Sequence, residues 1–368
     1  MKKKIVSALL CVAMIATMAT GCGGSKSSST SGNADSTAKQ FEINAAIAAN
    51  PPALDPHTVN ANVTGGIGIH IYEALFQMDE NYEPQPVLAE SYEMSDDGKE
   101  YTIKLRQGVK FHNGDEMKAD DVVASMNRWV ELSPKAKTLI DGSVFEKVDD
   151  YTVKLTVNEP SSDIIMVLAS PIQFAAIYPK SVVDSASDEG VKEYIGTGPY
   201  KVAEWKQDQY VKLEKYEDYQ PAEGESSGLA GAKNAQADTI TFNIVTDTAT
   251  RIAGVQNGQY DIAEDIPADQ YKDLAADKNL TMDVRSGGTL NLFLNTTEGV
   301  MADEKVRQAA LAALNCDDIL MASYGDAELY KLKAGWCNPD DAQWGTEAGS
   351  EYYNQNDVEK AKKLLSES

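Results

Sequence analysis

Residues 88–123 read LAESYEMSDDGKEYTIKLRQGVKFHNGDEMKADDVV, and this stretch carries the clearest information about the fold. Within it, Tyr101, Ile103 and Leu105 alternate with polar residues. This period of two predicts a half-buried β-strand. Residues 113–115, Asn-Gly-Asp, predict a turn, because each of these residue types favours turn conformations.

A helix is expected to begin near Ala119, where two aspartates follow at once. Carboxylates are favourable in the first turn of a helix because they complement its dipole. The sequence Ser133-Pro134 ends the helix. Its predicted apolar face consists of Val122, Met126, Trp129 and Val130.

The flanking segments continue the same mixture of elements. Residues 41–49 predict a first strand, which Pro51 and Pro52 end, and residues 151–157 alternate as a further strand. A helical pattern lies between them, with apolar residues at Ile67, Ile71, Ala74 and Leu75. Short strands mixed with helices predict an α/β fold with mixed α+β sheets, more than one in number.

The N-terminus has the pattern of a secretory signal. Basic residues 2–4 precede an apolar run from Ile5 to Ala19 that is shorter than the ~20 residues a transmembrane helix needs. Residues 19–22, Ala-Thr-Gly-Cys, resemble the lipobox of bacterial lipoproteins, whose cysteine is lipidated and becomes the new N-terminus. We therefore expect a signal peptide over residues 1–21 and lipidation, including palmitate, at Cys22; the alternative is an ordinary signal with an incidental cysteine.

Residues 22–39 are rich in Ser and Gly and predict a flexible linker between the lipid anchor and the folded body. The whole chain has a formal net charge of -24, and its acidic residues are spread along the body. Such a charge repels a phosphate backbone, so we expect no nucleic-acid partner.

The folded body contains two cysteines, Cys316 and Cys337. We expect both to be free thiols, with a disulfide as the alternative.

The sequence offers no recognisable catalytic or metal-binding motif. Its three histidines, His57, His70 and His112, belong to no zinc-ligand pattern. No nucleophile elbow, P-loop or dinucleotide fingerprint is present. We therefore expect a binding protein and not an enzyme, without metal or cofactor; a secreted hydrolase is the least favoured class.

Several blocks together resemble the family 5 extracellular solute-binding proteins, the peptide- and nickel-type receptors of ABC importers. They begin with residues 50–56, NPPALDP, and residues 88–123 quoted above. The later blocks follow in the same order: 196–200 (GTGPY), 255–262 (VQNGQYDI), 306–311 (VRQAAL) and 361–365 (AKKLL).

This resemblance implies a two-lobed periplasmic-binding-protein-like clamp that closes on its ligand by a hinge. Lobe I would comprise residues 40–70 and 196–287, with an extra subdomain at 71–195. Lobe II would comprise residues 288–368, beginning with a strand from Leu290 to Asn295. Relatives continue beyond this point, so lobe II is expected to be incomplete, as in a fragment or a reduced variant.

The resemblance also implies a function. The chain would capture oligopeptide or dipeptide-like ligands outside the cytoplasm, as a lipid-anchored monomer on the outer face of the membrane or in the periplasm. It would deliver them to the permease subunits of an ABC transporter. The alternatives are the same scaffold with a non-peptide solute (a metal chelate, haem, glutathione or a sugar), or a truncated remnant that binds nothing.

Three segments are expected to face the ligand by analogy with the family, in addition to Trp336 in a later loop. Asn side chains both donate and accept hydrogen bonds, which suits a peptide main chain. Against this, residues 60–62 are as well explained as a polar surface turn. A tryptophan such as Trp129 is more often a core residue than a ligand platform. The expected contacts are Asn60, Ala61 and Asn62 after the first strand, Trp129 and Thr138 around the predicted loop 133–138, and Asn291 and Phe293 in the crossing strand.

Overall fold

A computed structural model describes residues 40–187, 190–285, 288–335 and 345–368. Residues Gln40–Ser368 cluster as one compact unit. The predicted signal peptide, Cys22, the linker, Trp336 and Cys337 lie outside the described residues.

Eleven strands are assigned in the described residues. In chain order they are β1 (Glu42–Ile47), β2 (Phe76–Met78), β3 (Pro84–Pro86), β4 (Ala89–Met94), β5 (Glu100–Leu105), β6 (Val144–Asp149), β7 (Thr152–Thr156), β8 (Tyr200–Lys206), β9 (Tyr210–Lys215), β10 (Thr239–Ile244) and β11 (Ile262–Ala263).

Ten α-helices accompany them in the same residues. They are α1 (Asn62–Ile71), α2 (Ala119–Leu132), α3 (Pro134–Lys137), α4 (Ile164–Leu168), α5 (Lys180–Asp184), α6 (Thr248–Gln256), α7 (Tyr271–Ala275), α8 (Glu304–Ala313), α9 (Cys316–Tyr324) and α10 (Val358–Ser366). Short 3-10 turns occur at Ala268–Gln270, Val300–Ala302, Ala327–Leu329 and Ser350–Tyr352.

The first sheet has five strands in the order β11-β1-β10-β9-β8. Strand β1 runs parallel to both of its neighbours, whereas β9 runs antiparallel to both β10 and β8. Helix α1 shares a hydrophobic core with this sheet, and Ile67 and Ile71 are buried in it. The sheet therefore draws on residues 42–47 and 200–263, and it positions the start of α1 beside the ends of β1 and β11.

The second main sheet is antiparallel, in the order β4-β5-β7-β6. Tyr101 pairs with Leu155 and Ile103 with Val153, and all four side chains are buried. Helix α2 packs on this sheet and buries its apolar face, including Trp129. The predicted strands at 101–105 and 151–157, the helix from Ala119 and the mixed α/β class are thus confirmed.

The GTGPY segment lies directly against the end of α1. The Gly198 N–H donates to the Ile71 carbonyl at 2.9 Å, and the Gly196 carbonyl accepts from the His112 N–H at 2.9 Å. A Cβ atom at Gly198 would come within 2.6 Å of the His70 carbonyl oxygen, and one at Gly196 would overlap the Ile71 carbonyl. The two glycines are required by this close backbone approach.

In the described residues after Ala263, the regular elements are helices and 3-10 turns, joined by irregular segments. Helices α8 and α10 pack through Ala309, Ala312 and Ala361. Cys316 is a free, half-buried thiol, in line with the expectation for this residue.

The strand expected at Leu290–Asn295 is not formed, so this prediction was wrong. A strand exists only through a hydrogen-bonded partner. No strand follows Ala263 in the described residues, so these residues have no ladder to join. The lobe boundaries drawn from the resemblance remain predictions.

Candidate functional site

Two adjoining pockets lie at the start of helix α1. Their volumes are about 260 and 280 Å³, and they share Ala61, Asn62 and Gly66. The first turn of the helix therefore forms the wall between them. A cavity that combines apolar walls with a few polar groups is typical of a small-molecule site.

The first pocket is built by three parts of the chain. Residues from Pro56 to Ile69 form one side, residues 171–173 form another, and Leu229 closes it from a third direction. Leu229 is held in place because its N–H donates to the Met78 carbonyl at 2.9 Å. Most of this wall is aliphatic, and the polar side chains are few.

The second pocket lies between the sheet and the helix. Residues 47–49 at the end of β1 and Phe242 of β10 supply its apolar wall, and Glu264 and Asp265 follow β11 at its edge. Burial, and then the charge of Asp265, raises the pKa of Glu264. The second pocket thus has an acidic edge that the first pocket lacks.

Arg251 of α6 fixes the backbone at this acidic edge. Its guanidinium donates to the carbonyls of Glu264 at 3.1 Å and Asp265 at 2.9 Å, and also to those of Val245 and Thr246. Arg251 is buried, and these carbonyls accept most of the hydrogen bonds that its planar fork offers.

A buried ion pair between Asp55 and Arg128 holds the loop before α1 in place. The Asp55 carboxylate accepts hydrogen bonds from Arg128 Nη2 at 2.7 Å, the Tyr178 hydroxyl at 2.8 Å and the Val191 N–H at 3.1 Å. Burial acts to raise the pKa of Asp55, but the hydrogen bond and charge of Arg128 help to outweigh it, and the pKa is lowered. These hydrogen bonds join Asp55 to residues far away in the sequence. They therefore hold in place the loop that lines the first pocket.

His57 occupies the same buried layer. Its Nε2 atom lies 2.9 Å from the Ala176 carbonyl, which can only accept, so Nε2 carries the proton. Burial lowers the pKa of His57 to about 3, against the opposing charge of Asp55. The ring is therefore neutral at physiological pH and acts as a structural donor.

Among the expected ligand contacts, Asn60, Ala61 and Asn62 all line the first pocket, and Asn60 and Asn62 are exposed. Thr138 ends the short helix α3, which replaces the expected loop, and its hydroxyl donates to the Pro134 carbonyl. Thr138, Asn291 and Phe293 lie outside both pockets, although all three are exposed.

The structure corrects the expectation for Trp129. Its side chain is 0 % exposed, and its indole N–H donates to the Gln173 carbonyl at 2.7 Å. A ligand cannot reach a ring that is enclosed on all sides. Trp129 is a core residue that supports the pocket wall at Gln173.

Sequence reasoning missed Arg128, Gln173 and Glu264. Arg128 lies beside the apolar face of α2, and a charged residue there could have suggested a buried partner. Gln173 and Glu264 follow ordinary loop and strand patterns, and no feature of the sequence distinguishes them.

No group of three or more His, Cys, Asp or Glu side chains is placed to hold a metal ion in the described residues. Within the same residues, none of the helices combines the length and apolar character needed to cross a bilayer.

The mixed α/β fold is similar to that of substrate-binding proteins of known structure. The solved structure of the ABC transporter substrate-binding protein CtaP from Listeria monocytogenes superposes with a TM-score of 0.72 at 26% identity, covering 89% of this chain and 65% of that one. DppA from Helicobacter pylori, in complex with the peptide STSA, gives 0.67 at 25% identity, covering 89% and 66%. Both are two-lobed binding proteins.

Residues 83–368 match the model of the bacterial extracellular solute-binding proteins, family 5. The chain belongs to this family. The glutathione-binding protein GsiB of Salmonella paratyphi A is 33% identical over 288 residues, which is 77% of this chain and 54% of that protein. The chain therefore spans about half the length of this curated relative.

Proposed function

We propose that this chain is the receptor of an ABC importer and captures a peptide or peptide-like solute outside the cytoplasm. The observation that carries the proposal is the pair of pockets around the first turn of α1, where Asn60 and Asn62 lie exposed. Their amide groups can pair with both the N–H and the carbonyl groups of a peptide backbone. Family membership and the peptide-bound neighbour support the same ligand class.

Capture would be signalled by closure around the ligand. A ligand can shift a conformational equilibrium only through its preference for one state. The closed, loaded form would then dock on membrane permease subunits and release its cargo for transport. Binding without chemical change is the whole of the proposed activity, so peptides recovered from the complex should be intact.

A thermal melt of the purified protein with a ligand panel tests the proposal. The panel contains di-, tri- and longer peptides, glutathione, haem and nickel chelates. A ligand present at about 100 times its dissociation constant adds about 2.7 kcal/mol of stability. A shift with peptides supports the proposal, and a cooperative melt without any shift contradicts it.

A second candidate is a non-peptide or modified-peptide solute on the same scaffold. The resemblance to a glutathione-binding protein favours glutathione within this group. A melt that shifts with glutathione and not with ordinary tripeptides would select this candidate, because the two probes differ mainly in their γ-linked backbone.

We also propose that Cys22 carries a lipid that holds the protein at the membrane as a monomer. The sequence around Cys22 and the Ser/Gly-rich linker support this placement. Growth with a labelled palmitate should label the protein, and Cys22→Ala should abolish the label and release the protein from membranes. Equal labelling of the variant would contradict lipidation at this residue.

A further inference from the structure

The first pocket has an apolar lining, and none of the described residues that form it is charged. Its apolar walls consist of Pro56, Val59, Ile69, Pro171, Ile172 and Leu229. Among its polar side chains, Gln173 is only 8 % exposed, and its Oε1 atom accepts from the Ser133 hydroxyl and the Lys135 N–H, each at 3.3 Å. The other two, Asn60 and Asn62, are exposed. The enclosed part of the pocket therefore offers a solute an apolar surface without a charge.

Leu229 is held against this pocket by its own backbone and by both neighbours. Its N–H donates to the Met78 carbonyl at 2.9 Å. The preceding Gly228 has a φ of 55°, and a Cβ atom there would lie 2.5 Å from the Asp79 carbonyl carbon. The following residue, Ala230, is buried in a small apolar cluster. The side chain of Leu229 therefore belongs to a rigid wall of the pocket.

A buried polar layer ties the segment of Leu229 to the end of helix α1. Lys233 lies four residues further on, and its Nζ atom donates to Gln77 Oε1 at 3.1 Å and lies 3.8 Å from the Glu73 carboxylate. Glu73 is 0 % exposed and also accepts from the hydroxyls of Thr197 and Tyr219, each at 2.9 Å. Because α1 also lines the pocket, this layer fixes Leu229 relative to the opposite wall.

Ile172 supplies a further fixed wall. Its side chain is 54 % exposed, but its N–H donates to Ser170 Oγ at 3.4 Å. The next residue, Gln173, has a φ of 48°, in the left-handed region that residues other than glycine rarely adopt, and its carbonyl accepts from the Trp129 indole. A solute that covers Ile172 would remove apolar surface from water without first having to order this segment.

The volume of the first pocket suits one side chain. It measures about 260 Å³. An apolar cavity of ~150 Å³ holds one benzene molecule, whereas sites that enclose a whole drug-sized ligand measure ~300–1,000 Å³. The pocket thus has room for a single aliphatic side chain, with the rest of the solute outside it, beside the exposed Asn60 and Asn62.

We propose that the first pocket binds one uncharged, apolar side chain of the captured peptide, and that Leu229 limits the size of that side chain. This inference rests on the proposed function and adds the class of peptide that the receptor selects. A charged or strongly polar side chain would lose its hydration in this pocket without gaining a partner, which is costly. An aliphatic side chain gains free energy with each CH₂ group that is buried.

A leucine scan of tri-alanine, followed by titration calorimetry, tests the preference. Leucine replaces each alanine in turn, so the position that enters the pocket need not be known in advance. At one position we expect leucine to tighten binding about tenfold or more, because three further carbon atoms are buried. Asparagine at the same position has nearly the shape of leucine but a polar end, and it should give no such gain.

Leu229→Ala tests the size limit. The truncation removes a wall contact, so the leucine peptide should bind about fivefold more weakly. It also enlarges the pocket, so the affinity for a peptide with tryptophan at the same position, relative to the leucine peptide, should rise about tenfold. The matched control is Leu365→Ala, at a half-exposed residue of α10 outside both pockets, which should leave both affinities unchanged.

The outcomes separate this inference from the proposed function. If the unmodified protein binds tri-alanine but no position of the scan favours leucine over asparagine, the apolar pocket is wrong and the proposed function stands. If it binds no peptide of the scan or of the ligand panel, both are overturned. An unchanged ratio of tryptophan to leucine affinity in Leu229→Ala overturns the role of Leu229.

A second variant decides should Leu229→Ala fail to fold. In Leu229→Phe the larger side chain fills the pocket, so the gain from leucine over alanine in the peptide should fall to about twofold or less. An undiminished gain in this variant overturns the inference.

Discussion

The guanidinium of Arg128 donates to both carboxylate oxygens of Asp55, with Nη2 at 2.7 Å from Oδ2 and Nη1 at 3.3 Å from Oδ1. Asp55 belongs to the loop before α1, and Arg128 belongs to α2, which packs on the other sheet. The side chains are 1% and 9% exposed, so the pair is shielded from water and salt. The loop that carries Asn60 and Asn62 is therefore held by a contact with a distant part of the fold.

Removing one partner of this pair should destabilise the protein strongly. Asp55→Ala leaves the Arg128 charge buried without its counter-ion, and we expect a loss of about 3–5 kcal/mol in the free energy of unfolding. Urea unfolding at neutral pH measures it. The control is Asp184→Ala, which breaks an ion pair with Lys180 whose side chains are 51% and 59% exposed. Such a surface pair contributes about 0–1 kcal/mol, and an equal loss in both variants would show that the buried pair adds nothing special.

The buried histidine should make stability depend on pH. The pKa of His57 is about 3 in the folded chain, below its ordinary value of 6.5. Below pH 6.5 the unfolded chain gains a proton at this residue that the folded chain does not, so the stabilising effect of the neutral ring is lost as the pH falls. Between pH 7 and pH 5 one such histidine accounts for about 2 kcal/mol of lost stability.

His57→Gln provides the check, because an amide can donate to the Ala176 carbonyl but does not titrate. The variant should be less stable than the unmodified protein at pH 7, yet lose about 2 kcal/mol less between pH 7 and pH 5. If the curves of unfolding free energy against pH were parallel for the two proteins, the pKa of His57 would not differ between the folded and the unfolded chain. Asp55, whose pKa is lowered, adds its own loss only at more acidic pH.

The close backbone approach at the GTGPY segment predicts a sharp contrast between two glycines. A methyl group at Gly196 would overlap the Ile71 carbonyl, whereas one at Gly66 meets nothing within 4 Å. We expect Gly196→Ala to cost about 3 kcal/mol through overpacking. Gly66→Ala, inside α1, should instead stabilise the protein by about 0.5–1 kcal/mol, because glycine weakens a helix interior. Thermal melts of the two variants decide, and similar shifts of the same sign would contradict the packing described for Gly196.

The local elements were predictable because their signals are local. Tyr101, Ile103 and Leu105 alternate in the sequence and all three are buried in strand β5. The helix from Ala119 was predictable for the same reason. The expected strand at Leu290–Asn295 failed because pairing depends on partners, which a residue pattern does not supply.

Residues of the candidate site could be predicted only where the family resemblance names ligand-contacting positions. Asn60 and Asn62 were expected at the ligand and do line the first pocket. The residues that position them depend on contacts over long separations, 73 residues for Asp55 with Arg128 and 44 for Trp129 with Gln173. The backbone conformation of Gln173 and the orientation of its amide follow from those contacts, so a single sequence cannot reveal them.

The double variant Asn60→Ala/Asn62→Ala tests the contribution of the exposed amides to binding. Both side chains are solvent-exposed, and neither takes part in a described hydrogen bond within the protein. Their removal should leave the melting temperature of the free protein within about 2 °C, since surface substitutions usually change stability by less than ~0.5 kcal/mol. Binding of the panel peptide should weaken about tenfold or more, because two hydrogen-bonding partners of the ligand are lost. Calorimetric titration gives the affinity, and the melt of the free variant gives the stability. An unchanged affinity would remove both residues from the site, and a large fall in melting temperature would show that they act on folding rather than on the ligand.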